Sequence, residues 1–206
     1  MNFKKMSMFV ALFGLTVAAP AWADPSLFGK PGPISFTIGD TPSKSQVVFL
    51  SDAPMEKVRG TADGIKGTLT IDDGANLGTT KGKINVPIAT MRTGNPMRDQ
   101  HLADEEWLNG KKHPMITFEI ASVDGIHVEG EHAKATVHGS FSMNGASKAI
   151  SAPAEITYKA DKNIIKITTK FTISLKDYNI KGVGNMVGSK IGETINIEGS
   201  FYGVGK

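Results

Sequence analysis

Two long alternating runs joined by a two-residue turn constrain this chain more than any other feature. Lys134 to Met143 places Ala135, Val137, Gly139, Phe141 and Met143 on one side and Thr136, His138, Ser140 and Ser142 on the other. Ala149 to Tyr158 answers with Ile150, Ala152, Ala154, Ile156 and Tyr158 on one face. Between them stands Asn144-Gly145, a dipeptide suited to a tight hairpin because both residues tolerate positive φ. A period of two over ten residues belongs to half-buried strands, not helices.

The pattern recurs along the chain. Ile34 to Ile38 alternates weakly, and Gln46 to Leu50 is apolar on both faces. Ile65 to Ile71 groups Ile65, Leu69 and Ile71, with the turn signal Asp72-Asp73-Gly74 after it. Lys83 to Met91 groups Ile84, Val86 and Ile88, and Pro87 marks it as an edge or bulged strand. Ile116, Phe118 and Ile120 share a face before a turn at Asp124-Gly125. Asn163 to Leu175 groups Ile165, Ile167, Phe171, Ile173 and Leu175, and Thr194 to Tyr202 closes the chain with Ile195, Ile197 and Phe201. About eight such strands imply an all-β, antiparallel sheet with one apolar face. Such a sheet packs on a second layer or closes on itself. Long amphipathic strands point to closure, and an eight-stranded barrel can hold one small ligand. Alternation alone leaves a sandwich open, and a barrel filled by its own side chains has the same pattern.

One stretch leaves this pattern. Asn95 to Glu119 opens with a helix cap at Asn95 and Pro96 in the first turn. A short helical segment near residues 96–109 follows, with Leu102, Trp107 and Leu108 as apolar contacts. Gly110 can stop it, and His113-Pro114 returns the chain to extended backbone. The segment reads as a plug or lid on the β structure.

The first 23 residues read as an address. Lys4 and Lys5 precede the apolar run Met6 to Ala19, which is short for a bilayer span, and Ala21-Trp22-Ala23 is a small-x-small cleavage site. The mature chain then begins at Asp24, and residues 24–206 form one domain, with Asp24 to Gly32 as an extended lead-in. Export permits disulfides, yet the chain has no cysteine, so stability rests on the core. Without Lys4 and Lys5 the 23 basic residues become 21, against 20 acidic ones, a formal charge of +1. That balance gives no support to nucleic-acid binding.

Three sets of residues carry a family likeness. The first is Met97-Arg98-Asp99 with His101-Leu102, then Trp107, then Pro114-x-Ile116-Thr117-Phe118. The second is Val137 to Gly145, with Phe141 at a position the family gives to Leu. The third is Phe171 to Ile180, followed by Gly192 to Ile197. Together they resemble the YceI-like family of exported lipid-binding proteins. Departures occur at Leu50-Ser51-Asp52, where a His is common, at Leu175, where Arg or a similar polar residue is common, and at Asn179, where Gly is usual. The resemblance implies a lipocalin-like barrel in the periplasm enclosing a long isoprenoid chain, such as a polyprenyl diphosphate or the tail of a ubiquinone-type quinone. It implies a carrier or store with no catalytic group and no cofactor beyond the lipid, acting in transport, storage or stress response. A monomer or homodimer in transient contact with a membrane suits that role. The alternatives are an accessory quinone- or haem-binding redox component and an enzyme acting on a lipid or sugar.

The expected pocket is the more apolar face of each strand. It comprises Phe49, Leu69, Ile84, Val86, Ile88, Phe118, Ile120, Val137, Phe141, Ile156, Ile167, Phe171, Ile173 and Ile197, with Trp107 from the central segment. Arg98 and Asp99 form a candidate lid pair, with Arg98 able to meet a phosphate or quinone oxygen. The alternative is structural: Asp99 accepts backbone N–H groups while Arg98 pins the helix. Lys111-Lys112 reads as a solvated turn. His101, His113, His127, His132 and His138 lack metal-pair spacing, with only His127 and His132 sharing a region. No Gly-x-Ser-x-Gly elbow occurs, and Gly182-Val183-Gly184 reads as a loop beside the barrel mouth.

Overall fold

The computed structural model describes residues 26–29, 31–39, 41, 44–53, 56–182 and 191–206. The leader, its cleavage site, the start at Asp24, and Val183 and Gly184 lie outside the described residues.

Among the described residues there are ten strand segments: β1 (Ile34–Ile38), β2 (Gln46–Asp52), β3 (Lys57–Ala62), β4 (Lys66–Ile71), β5 (Thr80–Pro87), β6 (Met115–Glu129), β7 (His132–Met143), β8 (Ala146–Lys159), β9 (Ile164–Ser174) and β10 (Thr194–Gly205). They build a barrel of eight strand positions. β1 and β2 pair in turn with β10, Ile38 opposite Gly203 and Gln46 opposite Ser200, so they are one strand broken by a loop. β3 and β4 pair with β2 and β1 in the same way, as a second broken strand. β4 continues to β5, and the order runs through β6, β7, β8 and β9 to β10, all antiparallel. Closure removes the sheet edges that would otherwise stay unpaired.

The hairpin expected at Asn144-Gly145 forms. Met143 pairs with Ala146, and the two turn residues take φ of 48° and 75°. Asp124-Gly125 is not a turn. β6 runs through it, with one extra residue between Asp124 and His127 absorbed at Gly125. A second irregularity falls between Ile120 and Ser122, and such bulges strengthen the twist that closure needs. Lys83 to Met91 is also shorter than the alternation suggests, because Ile88–Thr90 is a 3-10 turn. β5 is interior where Thr80 to Asn85 meet β4, and Pro87 pairs with β6 alone. The edge reading therefore holds only at the strand's end.

The lead-in is not simply extended. Leu27 and Phe28 turn inward and are buried. Phe28 packs 4.9 Å from the Tyr158 ring and 5.7 Å from Phe36. With Ile38, Ile65, Leu69 and Ile165 they close one end of the barrel.

At the other end β8 and β9 part. They pair only from Ala154–Thr169 to Lys159–Ile164. Beyond that point the 3-10 turn Leu175–Tyr178 fills the wall. Tyr178 is 1% exposed and packs 5.5 Å from the Phe141 ring. The Asn144 amide holds this turn, donating to Tyr178 O at 3.2 Å and Asn179 O at 3.1 Å.

Candidate functional site

The central segment caps this second end. Its helix α1 (Pro96–Leu102) begins as expected, with Asn95 Oδ1 accepting from Met97 N and Arg98 N and with Pro96 in the first turn. It ends at Leu102, earlier than the reading to 109. Turns carry the chain onward, and Asn109, not Gly110, takes the positive φ of 50°. Leu108 is buried, and Lys181 N and Gly182 N both donate to Glu106 O at 2.9 Å. The cap is thus joined to the segment that follows β9.

Beneath it lies a cavity of about 460 Å³, within the range of small-molecule sites. Its walls are almost wholly apolar. Phe49, Leu69, Ile84, Val86, Trp107, Phe118, Ile120, Val137, Phe141, Ile156, Ile167, Phe171, Ile173 and Ile197 all line it. Ile88 does not. It lies in the 3-10 turn, 4% exposed, close to Gly110 of the cap, because the strand has already ended. Ile120, Val137 and Ile167 face inward yet stay only partly buried. The interior is therefore hollow rather than filled by its own side chains.

Other lining residues escaped the sequence reading. Val58 and Ala62 come from β3, a segment with too little apolar character to stand out. Ala152 and Ala154 lie on the expected face of β8 but are small. Leu175, at a position more often polar in the family pattern, also faces the cavity.

Polar groups gather at the capped end: Glu56, Thr93, Asn95, Arg98 and His101. Arg98 and Asp99 bond different partners. Arg98 Nη2 donates to Glu56 Oε1 at 2.5 Å, with the two side chains 24% and 37% exposed. Asp99 is not in the lining; its Oδ1 accepts from Thr93 N and Thr93 Oγ1, each at 2.7 Å. Asp99 thus accepts a backbone N–H, while Arg98 ties the helix to Glu56 just before β3. A haem would require an axial ligand such as His, and among the described residues only His101 of the five histidines lines the cavity.

A hydrogen-bonded string stands away from the cavity. His138 lies 2.9 Å from Asp124 Oδ2 and 2.7 Å from Ser151 Oγ. No local spacing signals it, since three strands bring the residues together. They lie on the solvent side of the wall, and none contributes to the cavity lining. His127 and His132 occupy the β6–β7 hairpin, but no group of three metal-type side chains forms among the described residues.

Residues 40–201 match the YceI-like domain. The chain belongs to the YceI-like family. Protein YceI of Escherichia coli O157:H7 is 27% identical over 146 residues, covering 68% of this chain and 72% of that protein. Protein YceI of Salmonella arizonae is 30% identical with the same coverage. Among solved structures, Burkholderia cenocepacia BcnA gives a TM-score of 0.66 at 17% identity, covering 77% of this chain and 95% of that one. A polyisoprenoid binding domain from Saccharophagus degradans gives 0.64 at 14% identity, covering 83% and 98%. Both share the barrel. In the YceI-like pattern a Gly is usual where this chain has Asn179. The residue takes φ of 56°, a left-handed backbone that Asn tolerates better than most side chains.

Proposed function

We propose that this chain is an exported binding protein that encloses a long isoprenoid-type lipid, such as a polyprenyl diphosphate or a quinone tail. It acts as a carrier or store in the periplasm and catalyses no reaction. The observation that carries this reading is the hollow apolar interior, with Ile120, Val137 and Ile167 facing unfilled space. Burying a hydrocarbon there contributes about 25 cal/mol per Å² of apolar surface removed from water, so a flexible chain needs few polar contacts. The polyisoprenoid binding domain from Saccharophagus degradans shares this barrel, which agrees with the reading. The leader expected at residues 1–23 supplies the export. Native mass spectrometry of the mature protein, purified without detergent, tests it. A one-to-one adduct that extracts as a polyprenyl compound is expected. An apo mass that persists after polyprenyl lipids are added back overturns it.

A further inference from the structure

The charged residues at the mouth bear on which headgroup the cavity accepts. Among the described lining residues, Glu56 and Arg98 are the only carboxylate and the only permanent cation. They are bonded to each other at 2.5 Å and both are partly buried. Arg98 is also fixed from behind. Its helix is capped by Asn95, and the next residue, Asp99, is tied to Thr93. Lys111 and Lys112 are exposed and outside the lining, while Lys181 lies 4.0 Å from Glu105.

A phosphate or diphosphate entering here meets a guanidinium whose charge is already compensated. It also brings its own negative charge beside a carboxylate, and like charges in a partly desolvated site repel. An uncharged oxygen meets no such barrier. Arg98 has five N–H donors and the contact to Glu56 engages one nitrogen, so the guanidinium retains N–H groups for a hydroxyl or carbonyl acceptor.

We infer that Glu56 is a specificity residue that tunes the mouth to isoprenoids with an uncharged oxygen headgroup, an alcohol or a quinone, and against phosphorylated ones. This rests on the isoprenoid reading above and narrows it. The test is a titration of delipidated mature protein with geranylgeraniol and with geranylgeranyl diphosphate, read by Trp107 fluorescence. Wild type should bind the alcohol at least about tenfold more tightly. Glu56→Gln should cut that preference by about tenfold through a gain for the diphosphate. The double variant Glu56→Gln/Arg98→Gln should lose the gain, which assigns it to the released guanidinium. Equal or tighter wild-type binding of the diphosphate overturns the inference while leaving the isoprenoid reading standing. So does an unchanged ratio in Glu56→Gln, or a gain that survives in the double variant. Failure of wild type to bind either ligand overturns both.

Discussion

Gly182 and Trp107 compete for one volume: a methyl group on Gly182 would lie 2.4 Å from Cε2 of the indole. Trp107 lines the cavity, and the amides of Lys181 and Gly182 hold the neighbouring Glu106 carbonyl. Gly182→Ala should therefore push the indole or part the two segments. A cost of about 1–3 kcal/mol in urea unfolding is expected for such overpacking. The chain has two tryptophans, and Trp22 falls in the expected leader, so emission from the mature protein reports Trp107 alone. A variant with unchanged emission and midpoint would show that the contact is slack.

Filling the hollow should separate binding from folding. Val137 faces the cavity from the middle of β7 and is only partly buried. Val137→Phe places an aromatic ring in space that no side chain occupies. Stability should stay within about 1 kcal/mol of wild type, since added volume destabilises where packing is already tight. Retained lipid per mole of protein should fall at least about tenfold, about 1.4 kcal/mol of binding. Full lipid loading in a folded Val137→Phe protein would mean that the ligand lies elsewhere.

The contrast between Val137 and Glu56 shows what the chain makes legible. Alternation assigns a face to each residue of a strand, so Val137, Phe171 and Ile197 could be placed on the inner wall without any contact being known. It cannot say whether that wall encloses space. β3 stayed hidden because Lys57, Arg59, Gly60 and Thr61 outnumber Val58 and Ala62. Leu27 and Phe28 form no periodic pattern, and their burial depends on partners as distant as Tyr158. The Glu56–Arg98 contact spans 42 positions and joins two irregular segments, so no local spacing announces it. The helix start was legible through Asn95 and Pro96. Its end was not, because tertiary contacts of Leu108 and Trp107 shape the turns beyond Leu102.

Asn144 has two separable roles. It takes a left-handed backbone in the hairpin, and its buried amide holds the Tyr178 and Asn179 carbonyls where β8 and β9 part. Asn144→Gly keeps the backbone freedom and removes only the amide. Asn144→Ala loses both. Leaving the buried carbonyl contacts unmade costs about 1–3 kcal/mol. Asn144→Gly should lose an amount in that range, and Asn144→Ala about 1 kcal/mol more for its strained φ. Urea denaturation of the two variants gives the comparison. Equal losses would place the whole effect in the amide, and a silent Asn144→Gly would remove the clamp from the account.

Tyr178 gives the fold a dependence on alkaline pH. Burial, helped by the nearby Asp177 charge, raises its phenol from 10.0 to about 12. In the unfolded chain the phenol releases its proton near pH 10, while the folded protein holds it to about 12. The contribution of this group is fully present below pH 10 and is lost as pH climbs through that interval. A rise of that size corresponds to at most about 2–3 kcal/mol. Tyr178→Phe has no proton to release. Other tyrosines and lysines titrate in the same range, so the informative quantity is wild-type minus Tyr178→Phe stability, measured from pH 9 to 11. That difference should be flat at pH 9 and fall above 10. A constant difference across the range would mean that the Tyr178 hydroxyl reaches water in the folded protein and that the wall between β8 and β9 is open there.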